Sequence, residues 1–302
     1  MSQKDTIIRH RLIIQKLRSN SSSFEEIQRK LNSEADLHDY ESMEKSKRTF
    51  QRDIKQIFSL YNIEIKYDRK QKVYAIINDE QDDYSERMFE ALDIFQALNL
   101  NRSIADCIQF DTRKTKGSEH LSGILYAIQN KFVLEIHYQK FWSASPEKRT
   151  IEPYLLKEFR KRWYVLAFDS EKKEFRTFGL DRIQLMNIKS VKFQFPQKLN
   201  SKELFKDSFG VITPDDELQP EEILLKFFKN QGEYVRTMPL HESQEILEES
   251  GDEMLVKVKL APTWDFMMEI LYYGELVKVI EPEHFAEQIK NRLEKAVKLY
   301  EN

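Results

Sequence analysis

The sequence predicts a multidomain α+β protein, and three observations carry that reading. Residues 1–77 spell three amphipathic helices and then a basic hairpin, residues 133–195 are filled by apolar segments of period two, and residues 211–302 follow the order strand, helix, two strands, helix, strand. With 302 residues the chain exceeds one small core and divides at composition breaks into modules 1–77, 78–118, 119–210 and 211–302.

In the first module Ile7, Ile8, Leu12, Ile13, Ile14 and Leu17 have the spacing of one helix face over Lys4 to Arg18. Ser19-Asn20-Ser21-Ser22-Ser23 ends that helix and offers an N-cap to the next, Phe24 to Leu31, with Phe24, Ile27 and Leu31 inward. A polar, acidic insert from Asn32 to Lys45 precedes Ser46, which caps a third helix, Lys47 to Leu60, whose inward stripe is Phe50, Ile54, Ile57 and Phe58. Ile63 to Tyr67 and Val73 to Ile77 then alternate around the turn Asp68-Arg69-Lys70-Gln71-Lys72. Three helices and a two-stranded wing is the order of a winged helix-turn-helix. A recognition helix presents short polar side chains to base edges, with cations beside them for phosphates. Thr49, Gln51 and Arg52 are the base-edge candidates; Lys47, Arg48, Lys55 and, on the wing, Arg69, Lys70 and Lys72 are the phosphate candidates. On pattern alone, a solvated charged face accounts for the same residues.

Asn78 to Asp83 is an acidic break. Beyond it Tyr84 to Asn101 reads as a helix with Met88, Leu92, Phe95 and Leu98 in a stripe, and Ser103 to Phe110 continues it. After a second break at 111–118, Leu121, Ile124, Leu125 and Ile128 mark a short helix. Strands near 133–142, 148–156, 163–168, 174–180 and 186–195 predict a small, strongly bent Sm-like or SH3-like β-barrel.

Within that module Trp163 to Phe168 and Phe175 to Leu180 form a hairpin framed by Arg160, Lys161, Arg162, Arg176 and Arg182. Guanidinium groups gathered by one hairpin repel unless an anion lies between them. The plainer alternative is solvated stems covering apolar surface.

The runs Arg162-Trp163-Tyr164-Val165, Phe175-Arg176-Thr177-Phe178 and Leu180-Asp181-Arg182-Ile183 closely resemble the WYL domain of bacterial transcriptional regulators, as do Ile136-His137-Tyr138 and Arg149-Thr150-Ile151-Glu152-Pro153-Tyr154-Leu155. Two positions depart from the family: Val165 replaces the naming Leu, and Gly179 stands where an Arg is common. Lys47 to Ile54 with Tyr61 to Ile65 resembles the DNA-binding module that usually precedes a WYL domain. The element order of 211–302, ferredoxin-like, resembles the WCX extension. What the resemblance implies is an anionic ligand, a nucleotide or nucleic-acid fragment, held by Tyr138, Arg149, Arg162, Arg176 and Arg182; a homodimer formed through the 78–118 linker; and a setting in phage defence or DNA-damage response. Tyr138 rather than His137 matches the family's Tyr, and neighbours on a strand face opposite ways.

Composition narrows the alternatives. Residues 1–77 carry sixteen Lys/Arg against eleven Asp/Glu and residues 131–195 fourteen against eight, whereas residues 213–302 carry ten against twenty, so the first two basic regions suit polyanions and the last does not. The single cysteine, Cys107, excludes an internal disulfide and a thiolate-rich metal site, and its apolar setting suits packing. His10, His38, His120, His137, His241 and His284 show no metal-binding spacing, and seven glycines form no phosphate-cradling loop. No apolar run is long enough to span a bilayer, and the start lacks the apolar core of a signal peptide, which predicts a cytoplasmic protein. Phe141 and Trp142, next to Tyr138, are expected to pack under the barrel, with stacking on a base as the second reading.

The expected function is a cytoplasmic, homodimeric transcriptional regulator, a repressor, that binds double-stranded DNA and answers an anionic ligand at its WYL module; no cofactor, metal or catalytic residue is expected. A second reading makes the WYL module a single-stranded nucleic-acid binder that regulates a partner enzyme.

Overall fold

The computed structural model describes residues 3–37, 46–79, 89–90, 117–195, 203–214 and 218–301. It divides into two compact units, Met1–Thr112 and Arg113–Asn302. The expectations for residues 38–45 and for most of the 78–118 linker, including its dimer stripe and Cys107, lie outside the described residues.

The first unit comprises α1 (Gln3–Ser19), α2 (Phe24–Leu37), α3 (Lys47–Tyr61), β1 (Ile63–Asp68) and β2 (Val73–Asp79). Ser23 and Glu26 cap α2 reciprocally: the Ser23 Oγ accepts from the Glu26 N–H at 3.2 Å and the Glu26 carboxylate from the Ser23 N–H at 2.7 Å. The helix runs past Leu31 to Leu37 because Ala35 continues its buried face. Ser46 caps α3 by accepting from the Thr49 N–H at 3.3 Å, and Asn62 ends it in the left-handed region at φ 54°. Ile13, Ile27, Phe50, Ile57, Tyr61 and Ile63 form the core. Phe58 is not part of it, being 52% exposed. Asp53, Ile57 and Tyr61 continue the inward face from Phe50, and a residue one step past Ile57 is turned by about 100° away from it. The α1–α2 loop is laced to β2 by two backbone hydrogen bonds between Ser22 and Tyr74, at 3.0 and 2.8 Å.

In the second unit α4 (Leu121–Asn130) precedes β3 (Phe132–Tyr138), β4 (Glu147–Phe159), β5 (Arg162–Asp169), β6 (Glu174–Gly179) and β7 (Ile183–Lys192). These strands form an antiparallel sheet in the order β6-β5-β4-β3-β7. The expected barrel is therefore not closed: β6 and β7 are the two edges and do not pair with each other. The short helical turn Leu180–Arg182 carries the chain from one edge to the other, and bulges at Pro153/Leu155 and His137/Tyr138 bend the sheet without joining its ends. One face packs Leu134, Ile136, Ile151, Val165 and Ala167 against Ile124 and Ala127 of α4. The other gathers Val133, Tyr154, Phe168, Phe193 and Phe195.

The chain then builds β8 (Glu221–Phe227), α5 (Gln231–Thr237), β9 (Glu245–Ser250), β10 (Glu253–Leu260), α6 (Trp264–Tyr272), β11 (Val277–Glu281) and α7 (Glu283–Lys298). Their antiparallel sheet has the order β11-β8-β10-β9, with Phe227, Val256, Val258, Phe266, Ile270 and Phe285 in the core. Phe209 joins the two sheets, meeting the rings of Phe159 and Phe266 at 5.6 Å each. The Thr177 hydroxyl donates to the Val211 carbonyl at 3.0 Å, and the Val211 N–H donates to Asp265 at 2.8 Å. Gly210 makes that approach feasible: at φ 93°, a Cβ there would stand 2.3 Å from the Asp265 carboxylate. Among the described residues no helix is long and apolar enough to cross a membrane.

Candidate functional site

Two cationic surfaces emerge, one in each unit. On α3, Lys47, Arg48, Gln51, Arg52 and Lys55 are exposed and Thr49 is half-buried. Lys47 lies 5.5 Å above the Phe24 ring. Thr49 shares a 3.2 Å hydrogen bond with Ser46, and Gln51 donates to the Tyr74 hydroxyl of the hairpin at 3.0 Å. Arg48, Arg52 and Lys55 pair with no carboxylate among the described residues. On the hairpin turn Arg69, Lys70 and Lys72 are exposed, and Asp68 orders the turn by accepting from the Lys70 and Gln71 N–H groups at 2.7 and 3.1 Å.

The inward side of α3 is fixed by an ion pair. Arg9 donates to the two Asp53 oxygens at 2.7 and 2.9 Å, with both side chains 1% exposed. Burial works to raise the Asp53 carboxyl, but the hydrogen bonds from Arg9, with the His10 ring 3.5 Å away, outweigh it and hold it below its ordinary range.

In the second unit the residues around Tyr138 form a tight group. Tyr138 is buried on β3, and its hydroxyl accepts the Gly179 N–H at 3.2 Å. Its ionisation is pushed up by burial, against the pull of Arg182. The Arg182 guanidinium lies near two rings, 5.0 Å from the centre of Tyr138 and 5.1 Å from that of Phe141. Arg162 reaches the same turn through Asp181, at 2.9 Å. The Arg182 Nε and the Asp181 Oδ1 are buried without a hydrogen-bond partner. The glycine at 179, where the family commonly has Arg, is what the space permits: a Cβ would approach Asp181 Oδ1 to 2.7 Å and Arg182 to 3.0 Å.

The other two arginines expected here are elsewhere and already neutralised. Arg149 is held by Glu147 and lies 3.5 Å from Asp169. Arg176 bonds Glu174 at 2.6 Å. Arg162 and Asp169 are the first and last residues of β5, about 23 Å apart at the rise of an extended strand. Four arginines thus do not converge on one ligand; Arg162 and Arg182 do share a turn. Arg160, framing the same hairpin, is bonded to Glu269 of α6. His137 faces away from Tyr138, as alternation along a strand requires.

Phe141 and Trp142 are not packed under the sheet. They are 66% and 86% exposed, on the β3–β4 loop. That loop is fastened on both sides: the Gln139 N–H donates to the Arg182 carbonyl at 2.9 Å, Ser143 N–H to the Lys140 carbonyl at 3.2 Å, and Lys140 pairs with Glu147 at 2.9 Å. Among the described residues no group of three His, Cys, Asp or Glu side chains is placed to hold a metal ion.

Comparison with known proteins agrees with the second unit's organisation. Residues 119–188 match the family model of the WYL domain and residues 219–297 that of the WCX domain. Among solved structures the chain is similar to proteasome accessory factor B/C (PafBC) of Arthrobacter aurescens, with 18% identity, a TM-score of 0.40, and 97% of this chain and 47% of that chain covered. It is also similar to a CRISPR Cas-related protein, with 13% identity, a TM-score of 0.38, and coverage of 90% and 78%. The chain spans about half the length of the PafBC chain. No curated protein matches the sequence.

Proposed function

We propose that this chain, which carries a WYL domain followed by a WCX domain, is a DNA-binding transcriptional regulator. It acts as a cytoplasmic homodimer and represses until an anionic ligand, a nucleotide or nucleic-acid fragment, occupies the WYL domain. In this reading the first unit is a winged helix-turn-helix and the last sheet, with its helices, a ferredoxin-like module. The chain works by binding alone and catalyses nothing.

One observation carries the proposal: the pattern of which cations are paired. Arg149, Arg160 and Arg176 each have a carboxylate of their own, whereas Arg48, Arg52 and Lys55 on α3 and Arg182 beside Tyr138 have none among the described residues. Cations left without internal counter-charges on two separate surfaces suit two polyanionic partners. On α3 the partner is duplex DNA, with the helix in a major groove and half-sites about one helical turn apart. Beside Tyr138 the partner is a phosphate, which the fork of Arg182 N–H groups holds bidentately. Coupling requires the ligand to prefer one arrangement of the dimer over the other.

The test is a gel shift with fragments from upstream of the chain's own gene. A discrete, salt-sensitive complex is expected, and Arg52→Ala should weaken it by about 1–3 kcal/mol, roughly five- to 150-fold. Unchanged affinity in the variant removes α3 from the interface. Smearing on duplex with tight single-strand binding instead supports the second reading, an accessory module acting on a partner enzyme.

A further inference from the structure

Tyr74 is a fixed point in the first unit. Its backbone N–H and carbonyl both bond Ser22, at 2.8 and 3.0 Å, which pins β2 to the loop before α2. Its ring packs on two others, with centres 4.9 Å from that of Phe50 and 4.8 Å from that of Tyr67, and the residue is 8% exposed. The hydroxyl at the end of that ring accepts one N–H of the Gln51 side chain at 3.0 Å. Gln51, in the N-terminal half of α3, is exposed, and its Oε1 and second amide hydrogen have no partner among the described residues. A free glutamine on a helix surface samples many rotamers, and ordering it on binding costs entropy. The tether to Tyr74 removes that freedom before any ligand arrives.

We infer that Gln51 reads an adenine in each operator half-site and that Tyr74 is the positioning residue that holds its amide in place. The inference rests on the proposed DNA-binding role of α3 and adds to it which side chain sets the sequence preference, and for which base. Side chains near the N-terminal end of a recognition helix meet base edges in the major groove. A carboxamide there matches adenine, its oxygen accepting from N6 and its nitrogen donating to N7. Gln51 keeps both groups after Tyr74 has taken one N–H. The other two base-edge candidates differ from it. Thr49 is half-buried, and its hydroxyl is engaged with Ser46 at the helix cap, at 3.2 Å. Arg52 is exposed and no contact among the described residues orders it, and a guanidinium matches guanine rather than adenine. Because Tyr74 belongs to β2, the hold on Gln51 also depends on the hairpin staying where Ser22 pins it.

The experiment selects duplexes from a randomised library with the full chain and with three variants, and reads the base enriched at each position by sequencing. The parent should enrich a motif with an adenine in each half-site. Gln51→Ala should cut that adenine preference about ten-fold, and Tyr74→Phe, which removes only the hydroxyl, about three- to five-fold. Every other position, and the salt dependence of binding, should hold in both variants. Gln51→Glu, whose carboxylate accepts the Tyr74 hydroxyl but offers no N–H, should move the same position from adenine to cytosine. The inference is overturned if Gln51→Ala flattens no position or one that prefers another base, if Tyr74→Phe leaves that position as in the parent or weakens all positions alike, or if Gln51→Glu still selects adenine there. A parent that enriches no motif refutes the DNA-reading role of α3 and this inference together.

Discussion

Asp53 sits wholly buried on the inward side of α3 and takes two hydrogen bonds from Arg9 of α1. A buried ion pair adds little net stability over apolar residues of the same size, but removing one partner strands a charge in a medium that cannot solvate it. Asp53→Ala should therefore cost about 3–5 kcal/mol, read as a lower denaturation midpoint of the first unit. A loss below 1 kcal/mol would show Arg9 to be solvated once Asp53 is gone. The neighbouring Arg52→Ala, exposed and unpaired, should leave stability within about 0.5 kcal/mol, so the two variants separate folding from DNA contact. The identity of the exposed α3 residues was legible in the sequence because the helical period assigns sides. Which of them were free was not, since the Gln51 link to Tyr74 spans 23 positions. The same limit applied around Tyr138. Arg149, Arg162, Arg176 and Arg182 looked alike in the sequence until Glu147 and Glu174 were seen beside two of the guanidinium groups.

Strand β4 shows how an element can carry a cost that its neighbours set. Lys157, near its end, points over the Phe205 ring at 4.0 Å, and burial lowers its ammonium from 10.5 to about 8, with Asp265 opposing. The folded value lies below the unfolded one, so between pH 8 and pH 10.5 the unfolded chain binds more protons and folding becomes more favourable as pH rises. Urea midpoints of the chain should show that rise, and Lys157→Met should flatten it relative to the parent while raising stability at neutral pH. Parallel pH profiles for the two proteins would mean Lys157 remains solvated. Local elements were well marked in the sequence: the caps Ser23 and Ser46, the alternation of β5 and β6, and the charged turn between them. The closure of the sheet was not. Whether β6 meets β7 depends on where Leu180–Arg182 lands, and period-two alternation reads the same in an open sheet as in a barrel. Phe58 failed for a related reason, because Asp53 occupied the inward position that hydrophobicity alone would have denied it. Phe141 and Trp142 reversed the usual rule that aromatic rings pack.

At the scale of the whole molecule, charge is distributed by module. Basic residues 1–77 and a basic WYL sheet precede an acidic WCX sheet, and that order was readable from composition before any coordinates. The family assignment of the second unit was equally accessible, since its motif residues Trp163, Tyr164, Asp181 and Arg182 lie in two short runs. The proposed regulator makes one demand on the molecule as a whole: occupancy of the WYL domain must change how tightly the first unit holds duplex DNA.

Anisotropy of a labelled upstream duplex, titrated with the full chain in the presence and absence of a short single-stranded oligonucleotide, measures that demand directly. The account requires at least a five-fold shift in duplex affinity when the oligonucleotide is present, about 1 kcal/mol of coupling, and the loss of that shift in Arg162→Ala/Arg182→Ala with resting duplex affinity intact. A double variant that still responds, or a parent whose duplex affinity is indifferent to the oligonucleotide, would contradict it.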